Sequence, residues 1–151
     1  MKRLIFASLL SFAAASTAYG QVTAKEPWVR ATVPAQSATG AFMQLNAAKS
    51  ARLVEARSPA AGRVEIHEMV MADNVMKMRA VSGIDLPAGR AVELKPGGYH
   101  VMLMNLKGQI KEGDTVALTL IVENKDGKRE TVEVKALARP LSGAAGSEKH
   151  H

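Results

Sequence analysis

Lys95-Pro-Gly-Gly-Tyr-His-Val-Met-Leu-Met-Asn105 sets a tight-turn signal directly ahead of strict two-residue alternation. Read as a strand, it places His100, Met102 and Met104 on one face and Tyr99, Val101 and Leu103 on the other. Val64-Glu-Ile-His-Glu-Met-Val-Met71 repeats the pattern, with His67, Met69 and Met71 alternating against Val64, Ile66 and Val70. A period of two in both stretches, punctuated by Gly, Pro, Asn and Asp, selects β structure.

The same reading extends from Lys25 onward. Candidate strands are Trp28 to Val33, Gly40 to Asn46, Arg52 to Arg57, Arg63 to Met71, Val75 to Val81, Ala91 to Leu94, Tyr99 to Asn105, Thr115 to Glu123 and Arg129 to Leu137. Asn124-Lys-Asp-Gly-Lys128 is a hairpin signal, because Asp-Gly supplies the positive φ a tight turn needs, and Lys111-Glu-Gly-Asp114 is a similar corner. Ser37 to Ala48 is the most helix-tolerant stretch, but its alternation suits a strand at least as well. Nine short strands at this spacing predict an all-β domain, an antiparallel two-sheet sandwich or barrel.

The first residues read as a secretory leader: Met1-Lys-Arg3 is a charged start, and Leu4 to Ala15 is an apolar run too short to span a bilayer. A cut after Gly20, or alternatively after Ala18, gives residues 1–20 as signal peptide, 21–140 as one domain and 141–151 as a flexible tail. The formal charge of +6 then falls to +4, because Lys2 and Arg3 leave with the leader. The basic residues are scattered and the remaining aromatics are Trp28, Phe42 and Tyr99, a pattern that argues against nucleic-acid binding. No membrane span is expected after cleavage.

The chain has no cysteine. Disulfide frameworks, iron–sulfur clusters, thiolate nucleophiles and His₂Cys copper sites are excluded. A metal would have to use His, Met or carboxylate. In the tail, His150-His151 could bind a divalent ion such as Cu(II), but adjacent histidines on a mobile end preorganise little.

Asp73-Asn74 is a favourable turn pair. A two-residue loop there pairs Met71 with Met76 and Met69 with Met78, and sets His67 opposite Ala80, so that five soft or borderline donors share a face. A Met-rich face is either core packing or a soft-metal site. The conjunction separates this chain from the ordinary case: each of His67 and His100 carries a Met two residues on, and Met69, Met71, Met76, Met78, Met102 and Met104 all cluster around them. Thioether with imidazole favours Cu(I) over zinc, calcium or magnesium.

The spacing His67, ten residues, Met78, twenty-one residues, His100, one residue, Met102 resembles that of the periplasmic PCu(A)C copper chaperone family, also called DUF461. The similarity runs through Trp28-Val-Arg-Ala31, Val75-Met-Lys-Met-Arg79, Leu94-Lys-Pro-Gly-Gly-Tyr-His100, Met102-Leu-Met104, and Leu106 with Lys111-Glu-Gly-Asp-Thr-Val116. The resemblance implies a cupredoxin-like β-sandwich binding Cu(I) through His67, Met78, His100 and Met102. It also implies delivery of copper toward the Cu_A centre of cytochrome c oxidase with a Sco-type protein; a non-enzymatic, monomeric carrier is the expectation. Met69, Met71, Met76 and Met104 fall outside that ligand set, and Tyr99, Pro96 and Gly97-Gly98 are expected to shape the approach to His100. The competing readings are a copper buffer or tolerance protein without an oxidase partner, and an exported interaction sandwich that binds no metal. No Ser/His/Asp or paired-carboxylate arrangement points to an enzyme, and Glu65 and Glu68 read as surface charge.

Overall fold

The computed structural model describes residues 21–140; the leader, the tail and His150-His151 lie outside them. Ten strands follow in chain order: β1 (Val22–Arg30), β2 (Ala38–Ala47), β3 (Ala51–Arg57), β4 (Ala61–Ala72), β5 (Val75–Ala80), β6 (Ile84–Leu86), β7 (Ala91–Leu94), β8 (His100–Leu106), β9 (Thr115–Asn124) and β10 (Arg129–Arg139). Two differences from the sequence reading stand out. β6 is an additional three-residue strand pairing with β3, and β1 starts at Val22 rather than Trp28. A bulge between Lys25 and Trp28, with Glu26 at φ 49°, lets β1 pass Pro27 and continue.

The hydrogen-bonded path runs β5-β4-β8-β2-β1-β10-β9-β3-β6, with β7 on β2 beyond the end of β8, and it remains open at both edges. All pairs are antiparallel except β1–β10, where Trp28–Arg30 runs parallel to Leu137–Arg139. The two halves of this path enclose one core in the cupredoxin-like sandwich arrangement. Alternation delivers that core: Ala41, Met43 and Leu45 of β2, Val101 and Leu103 of β8, Leu118, Leu120 and Val122 of β9, and Val134, Ala136 and Ala138 of β10 share one cluster.

The turns follow their chemistry. Asp73 and Asn74 both take positive φ (51° and 62°), the geometry of the primed two-residue hairpin, and the β4–β5 register is the one that turn dictates. Gly127 (φ 82°) closes β9–β10, and Lys111 N donates to Asp114 Oδ2 at 2.8 Å to lock the corner before β9.

Candidate metal centre

The face of β4, β8 and β2 that points away from the core carries the chemistry. The register aligns His67 of β4 with both His100 of β8 and Ala80 of β5, Glu65 with Met102, and Met102 with Gly40 of β2. Phe42 of β2 is buried yet belongs to this outer face, with its ring stacked on Trp28 at 4.5 Å between centroids and 6.1 Å from the His100 ring. A Cβ built on Gly40 would lie 2.9 Å from Phe42 Cζ, so glycine at this position lets the ring lie over the strand beside Met102. Arg30 and Arg139 stack their guanidinium groups over Phe42 and Trp28 at 5.7 and 5.2 Å. A hollow of about 340 Å³ opens here, lined by Met69, Met78, His100, Met102, Phe42 and Gly40, with Pro96 and Gly97 at its rim.

The two imidazoles sit edge to face with centroids 5.7 Å apart. His100 Nδ1 is 3.2 Å from Gly98 O; a carbonyl only accepts, so Nδ1 carries the proton and Nε2 the lone pair in the neutral ring. His67 Nε2 is 2.7 Å from Glu65 Oε2, and an ionised Glu65 likewise makes Nε2 the donor and leaves the lone pair on Nδ1. Glu65 is held below the ordinary carboxylate range chiefly by this hydrogen bond from His67, with Arg63 also lowering it. His67 Nδ1 and His100 Nε2 are both buried without a hydrogen-bond partner. One ring is anchored by a carboxylate and the other by a backbone carbonyl. These are the supports that orient metal-binding histidines.

Burial pushes the His100 imidazole below its ordinary 6.5, and the nearby charges of His67 and Arg30 act in the same direction against the Gly98 hydrogen bond. Its folded-state value is therefore lower than its unfolded one. Above 6.5 both states are neutral; as pH falls through 6.5 the unfolded chain binds a proton that the folded one resists, and the metal-free protein loses stability until the folded-state value is passed. Urea midpoints of metal-free protein at stepped pH should show this loss, and His100→Gln should flatten it. An unchanged slope in the variant would assign the loss elsewhere.

Of the residues singled out from the sequence, Met78, His100 and Met102 line the hollow, and His67 abuts it through the His100 ring. Met104 pairs with Ala38 and Arg63 further along the same face. Tyr99 instead packs against the core, leaving Pro96, Gly97 and Gly98 to shape the approach to His100. Glu65 and Glu68 both differ from the surface charge expected: each is half-buried, Glu65 on His67 and Glu68 against Arg79 on the opposite face. Phe42, Trp28 and Gly40 were not assigned to the site by sequence; Met69, which the sequence set on the face of His67 but outside the implied ligand set, lines the hollow as well. Among the described residues no three His, Asp or Glu side chains converge.

A family model described as LpqE-like matches residues 22–136. A lipoprotein of Leifsonia xyli subsp. xyli (strain CTCB07) is 33% identical over 124 residues, covering 82% of this chain and 72% of the relative. An uncharacterized protein of Rickettsia prowazekii (strain Madrid E) is 31% identical, covering 72% of this chain and 64% of its own length. Among solved structures, the Cu(I) form of DR1885 from Deinococcus radiodurans is 31% identical, with a TM-score of 0.59 and 83% of each chain covered. The apo PCuAC domain from PmoF1 is 23% identical, with a TM-score of 0.64, covering 80% of this chain and 95% of that one, a likeness of fold.

Proposed function

Because the chain belongs to the LpqE-like family of PCuAC-type domains, we propose that it is a periplasmic Cu(I) carrier whose ligands are His67, Met78, His100 and Met102. The observation that carries this reading is the pair of buried, unpartnered lone-pair nitrogens, His67 Nδ1 and His100 Nε2, at the edge of a sulfur-lined hollow. Neutral imidazole and thioether leave a hard divalent ion poorly satisfied and match a soft monovalent one. The Cu(I) form in which DR1885 was solved supports the same cargo. The lipoprotein name of the Leifsonia relative supports export.

Met78 favours handover over storage. It is 47% exposed on an edge strand whose residues all face solvent, whereas His100 is 4% exposed. A partner can displace the exposed thioether first and take the ion by stepwise ligand exchange, with no change in oxidation state. We assign delivery to the Cu_A centre of cytochrome c oxidase, in cooperation with a Sco-type protein, as the physiological use. No bond-making chemistry is assigned to the protein.

Anaerobic competition of the protein with a chromophoric Cu(I) chelator tests the site. One tight equivalent is expected, Zn(II) should not displace it, and Met78→Leu should weaken it about tenfold, roughly 1.4 kcal/mol. A chain ending at Arg139 should bind as well as the full chain. Binding lost only on that truncation would move the site to the tail. For the delivery step, loaded protein should metallate an apo Cu_A domain in the presence of the Sco-type protein; retention of copper there would favour the buffer reading.

A further inference from the structure

The methionines divide by environment. Met43 is 3% exposed and fills the core, but Met71, Met76 and Met78 are 64%, 45% and 47% exposed. An exposed thioether forgoes the burial that makes Met a good core filler, so packing does not account for these three.

Their arrangement is ordered. Val81 N donates to Ile66 O at 2.9 Å, which makes Ile66 and Val81 a hydrogen-bonded pair in the β4–β5 ladder. Alternation then makes His67–Ala80, Met69–Met78 and Met71–Met76 the non-hydrogen-bonded pairs, in which side chains approach most closely. All three lie on one face. The innermost rung holds an imidazole, the second lines the hollow, and the outermost sits beside the Asp73-Asn74 turn, with about 7 Å between successive rungs at strand rise.

We infer that Met71 and Met76 form a second, weak soft-metal site at the hairpin tip, through which Cu(I) enters and leaves the four-ligand centre. This assignment rests on the carrier reading above and adds a route to it. At each transfer the Cu–S bonds to Met71 and Met76 break as bonds to Met69 or Met78 form; the ion stays Cu(I) and no proton or electron moves. Two neutral thioethers on an exposed tip hold the ion weakly, which is the requirement for a transit point beside a deeper site. Both side chains are long and flexible enough to follow the ion.

The test is a titration of protein carrying ¹³C-methyl methionine and ¹⁵N-histidine with Ag(I), a redox-inert soft ion, together with the double variant Met71→Leu/Met76→Leu. The first equivalent should shift His67, His100, Met78 and Met102 resonances, and further Ag(I) should shift the Met71 and Met76 methyls in fast exchange. In the double variant, Cu(I) affinity should change less than about twofold while the rate of Cu(I) transfer to a chelator falls about tenfold. Leu matches Met in volume, so folding is preserved. Unmoved Met71 and Met76 methyls, or an unchanged transfer rate, would overturn the transit site while leaving the centre intact. A first equivalent that leaves His67 and His100 unmoved would overturn the carrier reading and, with it, this one.

Discussion

Replacing His100 with alanine is expected to lower Cu(I) affinity by two orders of magnitude or more while the protein stays folded. Structural zinc sites in zinc-finger peptides are worth ~10–16 kcal/mol, and on that scale one strong ligand of four carries about 3 kcal/mol, or roughly a hundredfold. His100 should be at the upper end of that range. It is buried, its ring is fixed by the Gly98 carbonyl, and its Nε2 lone pair has no protein partner to be taken from. His67→Ala should approach the same loss, because its ring is held equally firmly by Glu65. Chelator competition under anaerobic conditions reads the effect, and unfolding curves of the metal-free variants check folding. A His100→Ala protein that binds one equivalent as tightly as the parent would remove the site from this face.

The second large effect is on stability. Leu103→Ala should cost about 2–5 kcal/mol in chemical denaturation without altering any donor. Leu103 is wholly buried between Met102 and Met104 in sequence but points into the core, so its removal leaves a cavity under the strand that carries His100 and Met102. Leu137→Ala is the control. Leu137 is 49% exposed at the end of β10, and its loss should stay within about 0.5 kcal/mol. If the two variants proved equally stable, the assignment of faces along β8 and β10 would be wrong.

Much of the site was legible because it is local. Asp73-Asn74 specifies its own turn geometry, and from that turn the pairs Met71–Met76, Met69–Met78 and His67–Ala80 follow by counting. The adjacency of His67 and His100 was not legible in that way. Alternation says which face a side chain takes, not which strand becomes its neighbour, and thirty-two intervening residues separate the two rings. Resemblance to a family supplied that link. Ile84–Leu86 was missed because three residues between Gly83 and Pro87 carry no measurable period. The start of β1 was missed because Glu26-Pro27 reads as a break, whereas the strand absorbs it as a bulge. Alternation puts Phe42 with Gln44 and Asn46 on the face opposite Met43 and Leu45, but it does not show that Phe42 is buried there, where Trp28 and Arg30 cover it. The Glu65–His67 hydrogen bond was overlooked for a related reason: spacing places Glu65 on the same face as His67, but only the packed strand shows its carboxylate meeting the His67 ring at 2.7 Å.

β10, the last of the ten strands in chain order, lies in the middle of the sheet, between β1 and β9. The strands bearing His67, Met78, His100 and Met102 are all synthesised before it, but they cannot be joined to the β9-β3-β6 half until Arg129–Arg139 is available. A nascent chain lacking that segment leaves the facing edges of β1 and β9 unpaired. Formation of the sandwich is therefore a late, long-range event of the slow kind expected for high contact order. The face that carries the candidate donors therefore acquires its full backing only once β10 has joined the sheet.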